Sequence, residues 1–192
     1  MEDIIQKIFG NTEGLKKSKM KALQALYNRK VPHNKFIHAQ LGRTISEISR
    51  QISRQVGLLI DRSGTVSYVI IGNAHQLFIP DLSRHRAGHS RFRGLRLIHT
   101  HLRGESLSKD DLTDLTLLQL DTIVAIQVAP DGLPRSVEFA YLHPEAKEGE
   151  DPWLIEKKPS IYDWPEDYLH FIQDLESRFS KRDSIKRIPG KE

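Results

Sequence analysis

The chain has 192 residues, 38% of them hydrophobic and 28% charged, which fits one domain with appendages and excludes wholesale disorder. It has no cysteine, so disulfides, thiolate metal sites and thiol nucleophiles are excluded. The formal net charge is +4, a mild excess that matters only where it is concentrated.

The first fifteen residues read as a weakly patterned lead, and Met1-Glu2-Asp3 lacks the basic and apolar regions of a signal peptide. Ser18 is placed to cap a helix over about 19–29, with Met20, Leu23, Leu26 and Tyr27 at helical spacing and Pro32 beyond its end. Thr44 is placed to cap a second helix, whose stripe is Ile45, Ile48, Ile52 and Val56. Apolar residues 56–61 and β-branched residues 65–71 flank Ser63-Gly64, which predicts an antiparallel hairpin. Residues 76–79 predict a third strand and 95–100 a fourth. Ser108 opens a helix over about 109–120, with Leu112, Leu115, Leu118 and Leu120 on its buried side. Residues 122–128 read as a continuous apolar run, as in a central strand covered on both faces. A last strand over 136–142 follows the Asp131-Gly132 turn. The longest apolar runs, 56–60 and 69–71, are too short to span a bilayer, so a cytoplasmic chain with no membrane partner is expected.

The composition then changes. Residues 143–160 carry three prolines and several acids and read as a linker; Pro165 begins a helix with Leu169, Ile172, Leu175 and Phe179 on one face. The expected organisation is an α/β domain over 1–142, a linker over 143–160, and a C-terminal helix and tail over 161–192. The fold class is α/β of the α+β type, with a mixed, mostly antiparallel sheet flanked by helices.

Positive charge is concentrated in Arg84, Arg86, Arg91, Arg93, Arg96 and Arg103, with no acid between Asp81 and Glu105. Such a tract favours phosphate partners; Phe92, between two arginines, reads first as an anchor for the loop and second as a platform for stacking on a base. The other concentrated feature is His99-Thr100-His101, followed by Ser108-Lys109-Asp110-Asp111. Two histidines two residues apart on a strand share a face. Asp111 lies on the apolar side of the next helix, four and seven residues from Leu115 and Leu118. Two imidazoles and one carboxylate would hold a divalent metal with a fourth position open. The competing reading is a capping box, with Ser108 and Asp111 satisfying the helix start and the histidines ending a strand.

The run from His99 to Asp111 resembles the JAMM metalloprotease motif and its RadC-like relatives, which is His-x-His, seven residues, then Ser-x-x-Asp. The spacer here is six residues, and Leu102 stands where the family usually has proline. The resemblance implies a JAMM-like fold, a zinc held by His99, His101 and Asp111, and Ser108 as a donor near an oxyanion. It also implies a glutamate general base on an earlier strand. The matching place holds Gln55, which cannot take a proton at neutral pH, and the nearest earlier acid is Glu47.

A second resemblance covers nearly the whole chain. The blocks 10–16, 54–62, 95–105 and 110–115 are similar to the extra N-terminal region on long forms of the HflX GTPases. That resemblance implies an accessory domain of a ribosome-associated GTPase, with rRNA or the large ribosomal subunit as partner and the HflX GTPase domain in cis or in trans. GTP and magnesium chemistry is implied only for that GTPase domain. This sequence contains no G-x-x-x-x-G-K-[ST] phosphate loop and no Asn-Lys-x-Asp guanine reader.

Overall fold

The computed structural model describes residues 6–82, 92–159 and 167–186, with side chains to 183. Its strands are β1 (Ile8–Gly10), β2 (Val56–Asp61), β3 (Val66–Ile71), β4 (Leu95–His101), β5 (Thr122–Val128), β6 (Pro134–Leu142) and β7 (Trp153–Lys158). The helices are α1 (Lys17–Gln24), α2 (Ala39–Ile52), α3 (Lys109–Leu118) and α4 (Tyr168–Lys186), with a 3-10 turn over Ala25–Asn28. All seven strands form one mixed sheet in the order β1-β3-β2-β4-β5-β6-β7. β1 with β3 and β4 with β5 are parallel; the other four pairings are antiparallel. The fold is therefore the α/β class expected, with α3 as the crossover between the two parallel central strands.

Period-two alternation sorts the strand residues onto two faces. Leu58, Ile60, Ile98, Val124, Ile126, Val137 and Phe139 join a core with α1, α2 and α4 through Leu23, Leu41, Ile45, Ile48, Tyr168, Ile172 and Leu175. Leu59, Leu95, Leu97, Ile123 and Ala140 face the other way and pack with Leu112 and Leu115 of α3. Every residue of β4 and of β5 is buried, as the apolar run 122–128 implied.

Thr100 fixes β4 from the α2 side. Its hydroxyl lies 2.7 Å from Ser49 Oγ and accepts the Val56 amide at 2.9 Å. Arg50 of α2 donates to the carbonyls of Leu102 at 3.0 Å and Ala129 at 3.0 Å, tying the ends of β4 and β5 to the helix. The neighbours of Thr100, His99 and His101, are thereby turned to the α3 face.

Several expectations are corrected. The N-terminal lead contains β1. Helix α2 begins at Ala39 rather than near Thr44, because Leu41 extends its stripe by another turn; Thr44 is inside the helix, donating to Gln40 O at 2.8 Å. The helix ends at Ser53, which has φ 52°, so Val56 belongs to β2. Ser18 is likewise inside α1, whose N-cap is Lys16. Residues 76–79 form no strand. The stretch 143–160 is not a simple linker: β7 lies within it and pairs with all of β6 from Val137 to Leu142. Helix α4 is not an appendage, since Tyr168 and Ile172 are core residues. Pro165 lies outside the described residues. Among the described residues no helix is long and apolar enough to cross a membrane.

Arg96 is the largest correction. It is fully buried, so it cannot meet a phosphate partner. Its guanidinium donates to Phe36 O at 3.0 Å and Asp61 O at 3.0 Å, and its Cζ lies 4.3 Å from the Tyr168 ring centroid. The charge is held by carbonyls and a π face, which joins β4, the 35–36 loop and α4. Arg96→Met should leave those carbonyls unpaired and cost about 3 kcal/mol. The expected readout is a lower urea midpoint with an unchanged m-value; an unchanged midpoint would show that the guanidinium is not part of the core.

Candidate metal centre

The polar residues of the α3 face lie at one end of the sheet. Strand register sets His99 beside Gly57 on one side and Ala125 on the other, and His101 beside Gln127. Both neighbours of His99 are small, and the space over Gly57 is filled by the Leu77 side chain. Glu138 follows beyond Ala125, and Ser136 beyond Gln127.

His99 and His101 are buried, with Nε2 atoms 2.8 Å apart. His99 Nε2 is 3.1 Å from Asp111 Oδ1, and His101 Nε2 is 3.5 Å from Asp111 Oδ2. A tetrahedral metal with ligands near 2.0–2.1 Å has ligand–ligand edges of about 3.3 Å. The three side chains therefore meet with nearly the spacing such an ion imposes. They are the one group of three or more His, Asp or Glu ligand atoms this close among the described residues, and they could hold a metal ion.

The capping box is also present, so the two readings of Ser108-x-x-Asp111 are not alternatives. Asp111 Oδ2 accepts the Ser108 amide at 2.7 Å and the Ser108 hydroxyl at 2.8 Å, while Ser108 Oγ accepts the Asp111 amide at 3.1 Å. One carboxylate oxygen closes the helix start and the other faces His99. Capping positions the ligand.

His101 Nδ1 lies 2.9 Å from the Glu105 carbonyl, which also accepts Gln127 Nε2 at 3.2 Å. Gln127 Oε1 in turn accepts a short hydrogen bond from Ser136 Oγ. A carbonyl accepts only, so His101 carries its proton on Nδ1 and turns a lone pair at Nε2 toward the triad. Glu138 holds the same loop, accepting Ser106 Oγ at 3.0 Å and the Leu107 amide at 2.9 Å. His99 Nδ1 is buried and has no hydrogen-bond partner.

The protonation states suit a cation. Burial and the charge of His99 lower the His101 pKa. Burial opposes ionisation of Asp111, but His99 and the Ser108 donors outweigh it and hold the carboxyl well below its usual range. A neutral imidazole and an ionised carboxylate are the forms that ligate metals.

A cavity of about 370 Å³ opens beside the triad, lined by Gln55, Gln76, His101, Ser108, Asp111 and Asp114 among others. Gln55 is buried, and it reaches this cavity because β2 runs antiparallel to β4, with Gly57 opposite His99. Glu47 is exposed on α2, which packs on the opposite face of the sheet. The cavity therefore holds no acid in the place where the JAMM resemblance implies a base.

The described arginines of the tract, Arg93, Arg96 and Arg103, do not form one surface. Arg84, Arg86 and Arg91 lie outside the described residues. Arg93 precedes β4 and pairs with Glu176 at 3.3 Å. Arg103 is exposed just beyond the other end of the strand, roughly 20 Å away at strand rise. Arg96 is in the core, and Phe92 is buried and so cannot stack on a base. Gln127 and Glu138 escaped notice in the sequence. Their signal was a polar residue interrupting each of two apolar strands, since such a residue is buried only with a partner. A scan against protein-family models and a search of curated proteins found no match for the chain.

Asp114, one helical turn beyond Asp111, has its pKa pushed up to about 6 by burial and by Asp111 and Asp110, with His99 opposing. A raised acid binds a proton in the folded state that the unfolded chain has already lost. Stability is therefore lost as pH rises from about 4 to about 6. Asp114→Asn should raise the melting temperature at pH 7.5 and give little gain at pH 4. Equal gains at both values would count against this assignment.

Proposed function

We propose that this chain is a zinc-holding accessory domain of an HflX-type, ribosome-associated GTPase, with its place of work in the cytoplasm. The observation that carries the metal half is the convergence of His99, His101 and Asp111 at 2.8–3.5 Å. The role beside a GTPase is supported by the sequence blocks around residues 10–16, 54–62, 95–105 and 110–115. The HflX GTPase domain, in cis or in trans, would supply all GTP and magnesium chemistry.

Zinc suits two imidazole nitrogens and one carboxylate oxygen better than magnesium or calcium, which prefer all-oxygen sets. His99 and His101 would supply Nε2 and Asp111 would supply Oδ1. Bound there, the ion would link the end of β4 to the start of α3 and relieve the close approach of the two imidazoles. A second reading, a JAMM-like metal-dependent hydrolase, is favoured by the cavity beside the triad and by Ser108 on its wall. Gln55 weighs against it, because an amide cannot accept a proton from a metal-bound water.

Protein purified without chelator should carry about one zinc per chain by elemental analysis. His99→Ala and Asp111→Ala should lose it. Zinc at a hundredfold excess over its Kd stabilises by about 2.7 kcal/mol, a rise of roughly 5–11 °C for a domain of this size. Folded protein with no zinc and no thermal shift would remove the metal half.

The ribosomal half has its own test. Co-sedimentation with ribosomes is expected at low salt and should weaken steeply at moderate salt. Absence of association at low salt would exclude it without bearing on the metal.

A further inference from the structure

The chain's positive charge is polarised in a way the arginine tract does not describe. Residues 14–46 contain eight lysines and arginines and no aspartate or glutamate. The rest of the chain holds 21 lysines and arginines against 25 acids, a net charge of −4. All of the excess positive charge therefore lies in one segment, formed by α1, the 3-10 turn, the loop before α2 and the first half of α2.

Structure turns this segment into a surface. Leu23, Leu26, Val31, Phe36, Leu41 and Ile45 are buried and form its inner side. Lys16, Lys17, Lys21, Arg29, Lys30 and Lys35 are exposed. Among the described residues none of these six forms an ion pair. Lys17 and Lys21 are one turn apart on α1, and Arg29 and Lys30 follow where the 3-10 turn ends. The flanking acids are few: Glu13 precedes the segment, Glu47 follows it on α2, and the Asp61 carboxylate is engaged by Ser63 and the Thr65 amide.

We propose that this face binds the phosphodiester backbone of RNA. The inference rests on the ribosomal half of the proposed function for the identity of the partner, and names the surface that would serve it. Unpaired lysines on an acid-free face gain by releasing counterions from a polyanion, and they need no base contacts to do so. An anionic membrane fits less well. A helix that enters a bilayer surface exposes apolar side chains, whereas the large exposed hydrophobics, Phe78, Leu117, Leu133 and Ile155, all lie outside this segment. The metal triad is on the opposite face of the sheet, so the two functions are separable.

The test compares the full chain with a Lys16→Glu/Lys17→Glu/Lys21→Glu variant and a Lys147→Glu control. The probe is a fluorescent 20-base-pair RNA duplex, titrated at ionic strengths of about 50 and 200 mM. Native protein is expected to bind with a log–log salt slope of about −4 to −5. The triple variant should lose at least tenfold in affinity and about three units of slope, while Lys147→Glu stays close to native. Acids at 16 and 17 favour the α1 dipole, whereas an acid at 21, in its last turn, opposes it; the neutral Lys16→Gln/Lys17→Gln/Lys21→Gln variant avoids that cost and should show the same loss of affinity and slope. No binding at 50 mM salt, or equal binding by native and triple variant, would overturn the proposal. Binding to phosphatidylserine vesicles but not to the duplex would also overturn it. Duplex binding with no ribosome association would retain this surface and discard the ribosomal partner. The reverse result would discard the surface alone.

Discussion

Thr100 is the point from which the site is built. Its side chain is gripped on the α2 side by Ser49 and by the Val56 amide. A strand residue held on one face sends its neighbours to the other, so His99 and His101 have no freedom to avoid α3. A slip of one residue in the β2–β4 register would exchange the two sets and bury both imidazoles among Ile45, Ile48 and Tyr168. The same alternation puts Arg96 and Ile98 under α4 and α2, and Leu95 and Leu97 under α3. One strand thus sets the identity of both faces.

The polar residues on the α3 face are held by their neighbours. Each buried polar atom left without a partner costs about 1–3 kcal/mol, so a polar row survives in a core only when it is wired. Here Ser136, Gln127 and the Glu105 carbonyl support His101, while Glu138 ties down the loop between β4 and α3. The capping box adds Asp111 from the far side. Among the described residues of this site His99 Nδ1 has no partner, and that cost is borne where three potential ligands converge. The arrangement is a preformed cradle supported by four separate elements, so a ligand entering it would not have to order the chain first.

The molecule is two-sided in chemistry as well as in packing. The α3 face gathers Asp110, Asp111 and Asp114 beside the histidines, and its potential favours a cation. On the α1–α2 side Glu47 is the one acid of the two helices, against exposed lysines along α1 and the loop before α2, and the potential there favours an anion. The sheet between them is covered on both faces, which separates the two fields by two layers of side chains. Helix α4 completes the second face through Tyr168 and through Glu176, which pairs with Arg62 at 2.7 Å and with Arg93. A charge tract read along the chain merges residues that the fold then separates: Arg93 and Arg103 sit at opposite ends of β4, with Arg96 sealed between them.

Much of this was legible before any coordinates. The hairpin of β2 and β3, the central position of β5, the helix α3 and the candidate grouping of His99, His101 and Asp111 follow from local periodicity and spacing, because alternation and helical phase are properties of neighbouring residues. The strands missed, β1 and β7, are short or charged edge strands whose pairing is with residues far away in sequence. Their formation is decided by β3 and β6, which offer an edge. Burial of Arg96 was illegible for a related reason: an arginine in a basic tract has the same sequence whether it meets solvent or distant carbonyls. Gln55, Gln127 and Glu138 joined the site only through strand register. Sequence by itself determined which side chains were available and how each segment was phased; tertiary structure decided which of them meet, because contact between distant strands is set by pairing and packing.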